Sequence, residues 1–406
     1  MNLFAKLRRL RSLLAVSLAA GALCTLAAPA TETIRFVVFP MEDLTKTPSL
    51  GWIGEGLAIS LSEQLEAAGF EAVDRDSRIS FADSSGLPRG TALSRASMIR
   101  IARGIGAERL VFGSYSAAGE EIRIAARVLD VRTIKLGPDL AAAAPVKRLA
   151  DAENDIAWQI VSANGVYPAG SRDAFRLRMR SVPNEAFSCY VRSLALSDPD
   201  ARRKLLLRAV ELCPAFPQAL FRLGKESYKR GDCAQAIEAL DKVPEGARGF
   251  PEARFITGSC KYASGDFDAA IRSYGTLLPF GERLEVQNNL GAACLRVGDL
   301  PQAVRHLAAA HSLARSDSAV TLNLAIARQL QGDDHGAQLL LEAALRANPG
   351  NGMLHYLLSR SLDARGLVED ARRAAAEAAR AGVDPEQLKN EDPKAWVQLH
   401  ASWTGK

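Results

Sequence analysis

The chain has 406 residues and a formal net charge of +5. This length predicts two or three domains rather than one small domain. Residues 1–30 hold four basic residues and no acidic one, so the formal charge of the remaining chain is +1. A nearly neutral chain lacks the basic surface that binds nucleic acid, and nucleic acid is therefore excluded as a partner.

The first thirty residues have the three-part layout of a secretory signal peptide. A basic start, MNLFAKLRRLR, precedes the apolar stretch SLLAVSLAAGALCTL and the small residues AAPA. This layout predicts cleavage after Ala30 and export, in a bacterium to the periplasm or outer envelope. Two alternatives stay open. One is an uncleaved membrane anchor, for which the apolar stretch is short. The other is a lipoprotein modified at Cys24, although Leu23 stands where lipidation favours a small residue.

Residues 31–165 alternate predicted strands and helices. TIRFVVFP has the pattern of a buried strand, and LGWIGEGLAISLSEQLEAAG that of an amphipathic helix closed by Gly69. FEAVDR is a second strand and ASMIRIARGIG a second helix. ERLVFGSYSAAGEEIRIAARVLDVRT predicts a hairpin turned at Gly119, and VKRLADAENDIAWQIVSA a third amphipathic helix. This order predicts an α+β domain, with a mixed sheet covered by helices.

Four short patterns in this segment carry a resemblance to a known family. They are a strand ending in Phe-Pro, a Trp-Ile-Gly before the first helix, a Val-Asp-Arg strand end and a Gly-Ser-Tyr strand. Together they resemble the TolB amino-terminal-type domain and the related FlgO-type and CsgG-type envelope domains. The resemblance implies that this domain docks to, or helps to assemble, an envelope complex.

A repeat occupies most of the chain beyond residue 183. Glycines recur with gaps of 34, 33, 34 and 34 residues: Gly231, Gly265, Gly298, Gly332 and Gly366. An alanine follows each glycine by five residues: Ala236, Ala270, Ala303, Ala337 and Ala371. A small residue precedes each glycine by seven: Gly224, Gly258, Gly291, Ala325 and Ser359. These columns predict two helices per unit, joined at a glycine with positive φ and packed closely at the alanine.

The period and its columns resemble the tetratricopeptide repeat (TPR), which implies an all-α solenoid. Residues 183–384 hold about six copies, the first of them degenerate. Residues 166–182 lack apolar periodicity and carry several arginines, which predicts a linker. Residues 385–406 form a C-terminal capping segment, in which PKAWVQLHASW is expected to be a short helix with Trp396 packed on the last repeat.

The resemblance implies that the first helix of each repeat lines a concave surface that binds a protein or peptide. Its predicted residues are Phe221, Lys225, Tyr228, Phe255, Ser259, Tyr262, Asn288, Asn289, Arg296, Asn323, Tyr356 and Arg360, with the apolar Ala292, Leu295, Leu322 and Ile326. The aromatic side chains are expected to anchor the partner, and Lys225 to pair with an acidic group on it. The alternative is that the rings only pack between neighbouring helices.

No pattern in the chain predicts catalysis, a cofactor or a metal site. The five histidines lie at or beyond residue 306 without metal-ligand spacing, and GxSxG, HExxH and Walker lysine motifs do not occur. Asp74, Arg75 and Asp76 are expected to form ion pairs in a loop. Five cysteines lie outside the leader, so at least one thiol is unpaired; whether two form a disulfide stays open.

These observations predict an exported, non-enzymatic adaptor that holds a partner protein in the concave face of its solenoid, with an envelope component at the N-terminal domain. Two alternatives remain. One is an envelope structural protein that binds peptidoglycan or polysaccharide. The other is an enzyme with a site in residues 31–165, which a deep pocket lined by titratable groups would reveal.

Overall fold

A computed structural model describes residues 33–45, 47–86, 93–164, 172–177 and 182–404. The predicted signal peptide, including Cys24, lies outside these residues, as does much of the predicted linker. The described residues divide into two compact units. The first contains the residues up to Thr47 together with those from 57 to 177. The second contains residues 48–56 and 182–404.

The first unit is built on a mixed β-sheet. Its strands are β1 Arg35–Val38, β2 Glu42–Asp43, β3 Glu71–Ala72, β4 Arg109–Ala118, β5 Glu121–Asp130 and β6 Leu140–Pro145. The strand order is β3-β1-β4-β5-β6, and β2 pairs with β4 beside this path. β1 runs parallel to β3 and β4, whereas β4, β5 and β6 are antiparallel. Gly119 turns the β4–β5 hairpin with a φ of +63°, as the sequence predicts.

Helices cover this sheet, which confirms the predicted fold class. They are α1 Ile53–Ala67, α2 Arg75–Ser84, α3 Arg95–Gly104, α4 Leu149–Ala163 and α5 Arg172–Leu177. Ile101 of α3 packs with Leu110 of β4 and Leu129 of β5 in one apolar cluster. α4 packs against β5 and β6. Ser60 of α1 donates a hydrogen bond of 2.9 Å to the buried carboxylate of Glu153 in α4, which links these two helices.

Part of the predicted linker is instead helical. α5 occupies residues 172–177, and Phe175 is buried with its ring edge-on to Trp158 of α4, at 5.5 Å between ring centroids. Arg172 forms an ion pair of 2.7 Å with Asp155 of the same helix. Two contacts therefore hold α5 against α4 in the first unit, although its sequence lacks apolar periodicity.

The second unit is a run of helix pairs followed by a short C-terminal segment. The helices are α6 Asn184–Ala195, α7 Pro199–Leu212, α8 Pro217–Lys229, α9 Cys233–Leu240, α10 Phe250–Ala263, α11 Phe267–Gly275, α12 Leu284–Val297, α13 Leu300–Leu313, α14 Ser318–Leu330, α15 Asp334–Ala347, α16 Gly352–Ala364, α17 Val368–Arg380 and α18 Pro385–Leu388. α6 to α17 form six successive pairs, each packed on the next. Trp52, from the segment 48–56, packs edge-on against Phe187 in α6. No helix among the described residues is long and apolar enough to cross a membrane.

The turn glycines have the backbone conformation that the repeat register predicts. Their φ angles lie between +76° and +86°: Gly231, Gly265, Gly298, Gly332 and Gly366. Packing also explains the small residue that lies seven positions before each turn glycine. A Cβ atom on Gly291 would lie 2.5 Å from Cγ of Leu307, and one on Gly224 would lie 2.3 Å from Cγ of Leu240. The two helices of a pair meet there, and a larger residue would force them apart.

One pair of cysteines is joined. Cys233, the first residue of α9, forms a disulfide with Cys260 in α10, with 5.2 Å between the Cα atoms. Cys189, Cys213 and Cys294 carry free thiols. The bond links one helix pair to the next, a contact that the spacing of the cysteines alone does not predict.

The C-terminal segment differs from the predicted capping helix. A 3-10 turn at Pro393–Trp396 is followed by extended backbone at Val397, with φ −63° and ψ 131°, and residues 397–404 contain no helix. Trp396 does contact the last repeat, where its ring lies edge-on to Tyr356 of α16. The helix prediction is therefore wrong for the residues beyond Trp396, which lie along the first helices of the repeats.

Candidate functional site

The first helices of five successive pairs all contact the same C-terminal segment of the chain. These helices are α8, α10, α12, α14 and α16, and we call the surface that they form the groove. Residues 393–404, which we call the C-terminal tail, contact each of these five helices. The tail runs against the order of the repeats, since Trp396 lies on α16 and Trp403 lies on α10.

Two asparagines hold the main chain of the tail. The side-chain oxygen of Asn323 accepts the N–H of Gln398 at 2.9 Å, and its nitrogen donates to the carbonyl of Gln398 at 2.7 Å. Asn289 repeats this pattern on His400, at 2.8 and 2.9 Å. Asn289 and Asn323 are 34 residues apart and so occupy the same position in successive repeats. Residues 398 and 400 are two positions apart, so an extended chain presents both to the same side.

Other buried polar groups fix the orientation of these amides. Asn288 donates to the carbonyl of Gln398 at 3.0 Å and accepts a hydrogen bond of 2.9 Å from Asn323. Asn289 donates to the Tyr274 hydroxyl, which also lies 3.0 Å from the Ser259 hydroxyl. Burial raises the pKa of Tyr274, so its hydroxyl remains protonated. These bonds orient the amides toward the main chain of the tail.

An aromatic contact lies at each end of the tail. The Trp403 ring packs against Phe255, at 5.8 Å between centroids, and the guanidinium of Arg283 lies 4.6 Å from its centre. At the other end the Trp396 ring meets Tyr356 at 5.5 Å. Arg360 lies over that ring at 5.7 Å. Tryptophan rings bury a large area with few rotamers to lose, so these two contacts anchor the extended stretch between them.

The site includes three residues that the sequence analysis missed: Arg283, Glu285 and Asp317. Glu285 accepts hydrogen bonds from the backbone N–H and the hydroxyl of Thr404, at 3.2 and 3.0 Å. Asp317 lies 3.6 Å from the His400 ring. Glu285 stands three residues before Asn288 on the same face of α12, a spacing that could have identified it. Arg283 and Asp317 precede their helices, where a helix-face pattern gives no signal.

Several residues predicted for the groove have other roles. Phe255 is only 1% exposed, and it packs against Tyr274 as well as Trp403. Ser259 is also buried and donates to the carbonyl of Phe255, so neither residue offers the open surface that the register predicts. The tail and the helix α11 cover them, and helical register does not report such covering.

Lys225 already has an acidic partner within the chain. Its ammonium group forms an ion pair of 2.6 Å with Glu252 in α10 and lies 5.1 Å from the centre of the Phe221 ring. Phe221 in turn packs against the backbone at Gly249, where a Cβ atom would lie 2.7 Å from its Cγ. Both side chains therefore join α8 to the start of α10, as in the packing alternative.

Tyr228, Tyr262 and Arg296 are more open. The Tyr228 hydroxyl lies 3.5 Å from the carbonyl of Ala401 in the tail. Tyr262 is half-buried against Phe267, and the exposed Arg296 lies over both of these rings. Of the four predicted aromatic anchors, Tyr228 and Phe255 contact the tail, whereas Phe221 and Tyr262 pack between helices.

The first unit offers a different kind of surface. A cavity of about 440 Å³ lies over β4, β5 and β6, lined mainly by alanine and serine with Arg123 as its charged side chain. It is not the deep titratable pocket that the enzyme alternative requires.

Asp74 caps α2 by accepting the N–H of Ser77, and Arg75 pairs with Asp76 at 3.5 Å. Within the described ranges no three acidic, histidine or cysteine side chains come together to hold a metal ion.

Comparison with known families identifies the repeat. Residues 221–281 and 322–385 match the family model of the tetratricopeptide repeat. The chain contains tetratricopeptide repeats. Outside the two matched ranges, the TPR columns continue through α12 and α13, which have the same turn glycine and the same packing at Gly291.

Two solved structures match less than half of the chain. A crystal structure of MamA has 20% sequence identity and a TM-score of 0.38, and the match covers 41% of this chain and 96% of that one. A crystal structure of YrrB, described as a TPR protein with an unusual peptide-binding site, has 16% identity and a TM-score of 0.40, with 44% and 92% covered. The likeness concerns the fold alone. No curated protein matches the chain in sequence.

Proposed function

We propose that this protein is an exported adaptor that holds an extended segment of a partner protein in its TPR groove. The observation that carries the proposal is that the protein's own C-terminal tail occupies this groove. Asn289 and Asn323 bind its main chain, and rings at the two ends of the groove pack on its tryptophans. The groove thus has the chemistry to bind the main chain of a polypeptide.

Burial makes the asparagine contacts selective for an extended backbone. Asn288, Asn289 and Asn323 are fully buried beneath the tail. An amide buried without a hydrogen-bond partner costs about 1–3 kcal/mol, so an occupant that covers these side chains must present N–H and C=O groups to them. A helical segment cannot do so, because its own turns use those groups.

An envelope location is supported by separate features. The leader has the layout of a secretory signal peptide, and the Cys233–Cys260 disulfide suits an oxidising compartment. The four short patterns that resemble TolB-type, FlgO-type and CsgG-type domains support docking of the first unit to an envelope component. We expect the mature protein to begin at Thr31 outside the cytoplasm. N-terminal sequencing tests this, and a cytoplasmic protein that retains Met1 would contradict it.

Site-specific cross-linking in the native envelope tests partner binding. A photo-reactive amino acid replaces Tyr228 in the groove, and a control replaces Leu339, which is 54% exposed on the second helix α15. Mass spectrometry of the adducts is expected to show a discrete protein cross-linked at residue 228 and not at residue 339. The same protein at both positions, or only glycan at residue 228, would reject the adaptor role.

A further inference from the structure

We propose that the C-terminal tail is an internal competitor for the groove and that it displays the pattern of the external ligand. That ligand is an extended segment with two aromatic residues seven positions apart, matching Trp396 and Trp403. Binding of the ligand requires the tail to leave. The inference rests on the proposed function, because it names the partner chemistry of the same groove.

The contacts at the centre of the tail are ones that a foreign chain can reproduce. Five hydrogen bonds join Asn288, Asn289 and Asn323 to residues 398 and 400: the amides donate three to the C=O groups and accept two from the N–H groups. The Gln398 side chain is exposed and adds nothing to these bonds. Every residue except proline carries both main-chain groups, so the centre of the groove tolerates many sequences.

The distance between the aromatic contacts selects an extended chain. Trp396 lies on α16 and Trp403 on α10, which are separated by α14 and α12. Three steps between neighbouring packed helices, at about 8–10 Å each, span about 24–30 Å. Seven extended residues reach at most about 23–25 Å, whereas seven helical residues reach only about 10 Å. A seven-residue spacing is therefore close to the minimum that reaches both sites, and a shorter spacing fails.

The tail is suited to leave the groove. After the 3-10 turn at Pro393–Trp396 it contains no helix or strand, so release breaks contacts with the groove without unfolding an element of its own. It is tethered through α18 to the last repeat, which gives it a high effective concentration, of the order of millimolar for a short flexible connection. An external segment must compete with that concentration, and the tail thereby sets a threshold for binding.

Truncation and a labelled peptide test the competition. The probe is a fluorescent peptide of residues 393–406, and the proteins are the full chain and a chain that ends at Asp392. Fluorescence polarisation is expected to show binding to the truncated chain and at least tenfold weaker binding to the full chain. Equal affinity for both chains, or no binding to the truncated chain, would overturn the proposal.

Matched variants test the contacts. In the truncated chain, Asn289→Ala with Asn323→Ala is expected to weaken peptide binding at least tenfold, while Asn348→Ala, at an exposed site outside the groove, changes it less than twofold. Circular dichroism shows whether the double variant keeps its helices. Equal effects of the double variant and the control in folded protein would reject the asparagine contacts.

Changes in the peptide avoid any effect on folding. Replacing both tryptophans by alanine, or moving the second one two positions closer to the first, should weaken binding at least tenfold. The Gln398→Ala peptide should bind within twofold of the original. Unchanged binding of the peptide without tryptophans, or of the peptide with the shorter spacing, would overturn the proposed ligand pattern.

Light scattering addresses exchange of tails between two copies. The full chain is expected to remain monomeric at concentrations at which the truncated chain binds the peptide. A concentration-dependent dimer that disappears on truncation would show that two copies exchange tails. That result would overturn the proposal that the tail competes within its own chain. Peptide binding without any protein adduct at residue 228 in the envelope would reject the proposed function while the groove chemistry stands, so the two failures can be told apart.

Discussion

Gly298 shows how one residue defines the turn of a repeat. It follows α12 with a φ of +86°, a conformation that costs a β-branched residue roughly 1–3 kcal/mol. We therefore expect Gly298→Val to lower the free energy of unfolding by that amount, as measured by urea unfolding. Gly246 is the matched control, since it lies in open space without a positive φ, and Gly246→Val should change stability by less than about 0.5 kcal/mol. Equal losses at the two positions would show that the turn conformation is not the cause.

Cys294 illustrates how burial controls a side chain's chemistry. It is 4% exposed in α12, and burial raises the pKa of its thiol to about 11. Only about one thiol in a thousand is then ionised at pH 8, and the thiolate is the reactive form. In a chain with Cys24, Cys189 and Cys213 replaced by serine, we expect almost no reaction with a disulfide reagent at pH 8. One thiol should appear in guanidinium, whereas rapid native labelling would contradict the buried position.

At the scale of elements, the disulfide joins two neighbouring repeats. Cys233 begins α9 and Cys260 lies in α10, 27 residues later in sequence. A cross-link that closes a loop of this size stabilises a protein by about 2–4 kcal/mol. We expect Cys233→Ala with Cys260→Ala to lower the free energy of unfolding by that amount, measured with urea. A reductant should cause a similar loss in the natural chain and none in the double variant. Insensitivity of the natural chain to reductant would indicate that the bond does not form.

At the scale of the whole molecule, the repeats are expected to fold without the first unit. Repeat helices contact mainly their neighbours, so stability is distributed along the array. A fragment of residues 183–406 should give a helical circular dichroism spectrum, and a fragment of residues 31–182 should show strand. The longer fragment lacks Trp52, and loss of the contact between Trp52 and Phe187 should destabilise the first helix pair without unfolding the others. A spectrum of mostly coil, or of comparable strand content, from the longer fragment would contradict this.

The sequence by itself determined the features that depend on local conformation. The 34-residue period, the turn glycines and the small residue between paired helices are each set by a few neighbouring residues, so they recur visibly along the chain. Among the elements of the first unit that were not predicted, β6 and α2 have a weak local signal. β6 is LAAAAP, and alanine has little strand preference, so pairing with β5 decides its structure. α2 is the polar stretch RDSRISFADS, which lacks a strong apolar stripe.

Only the tertiary structure decided what occupies the groove. The register placed Asn289 and Asn323 on the concave face, but their partners lie 111 and 75 residues farther along the chain. The tail has no periodicity of its own, because its main chain is held by side chains of other elements rather than by its own turns or by a sheet. The burial of Phe255 has the same origin, since Trp403 covers it. Contacts of this range depend on how the repeats stack, which no local pattern of residues encodes.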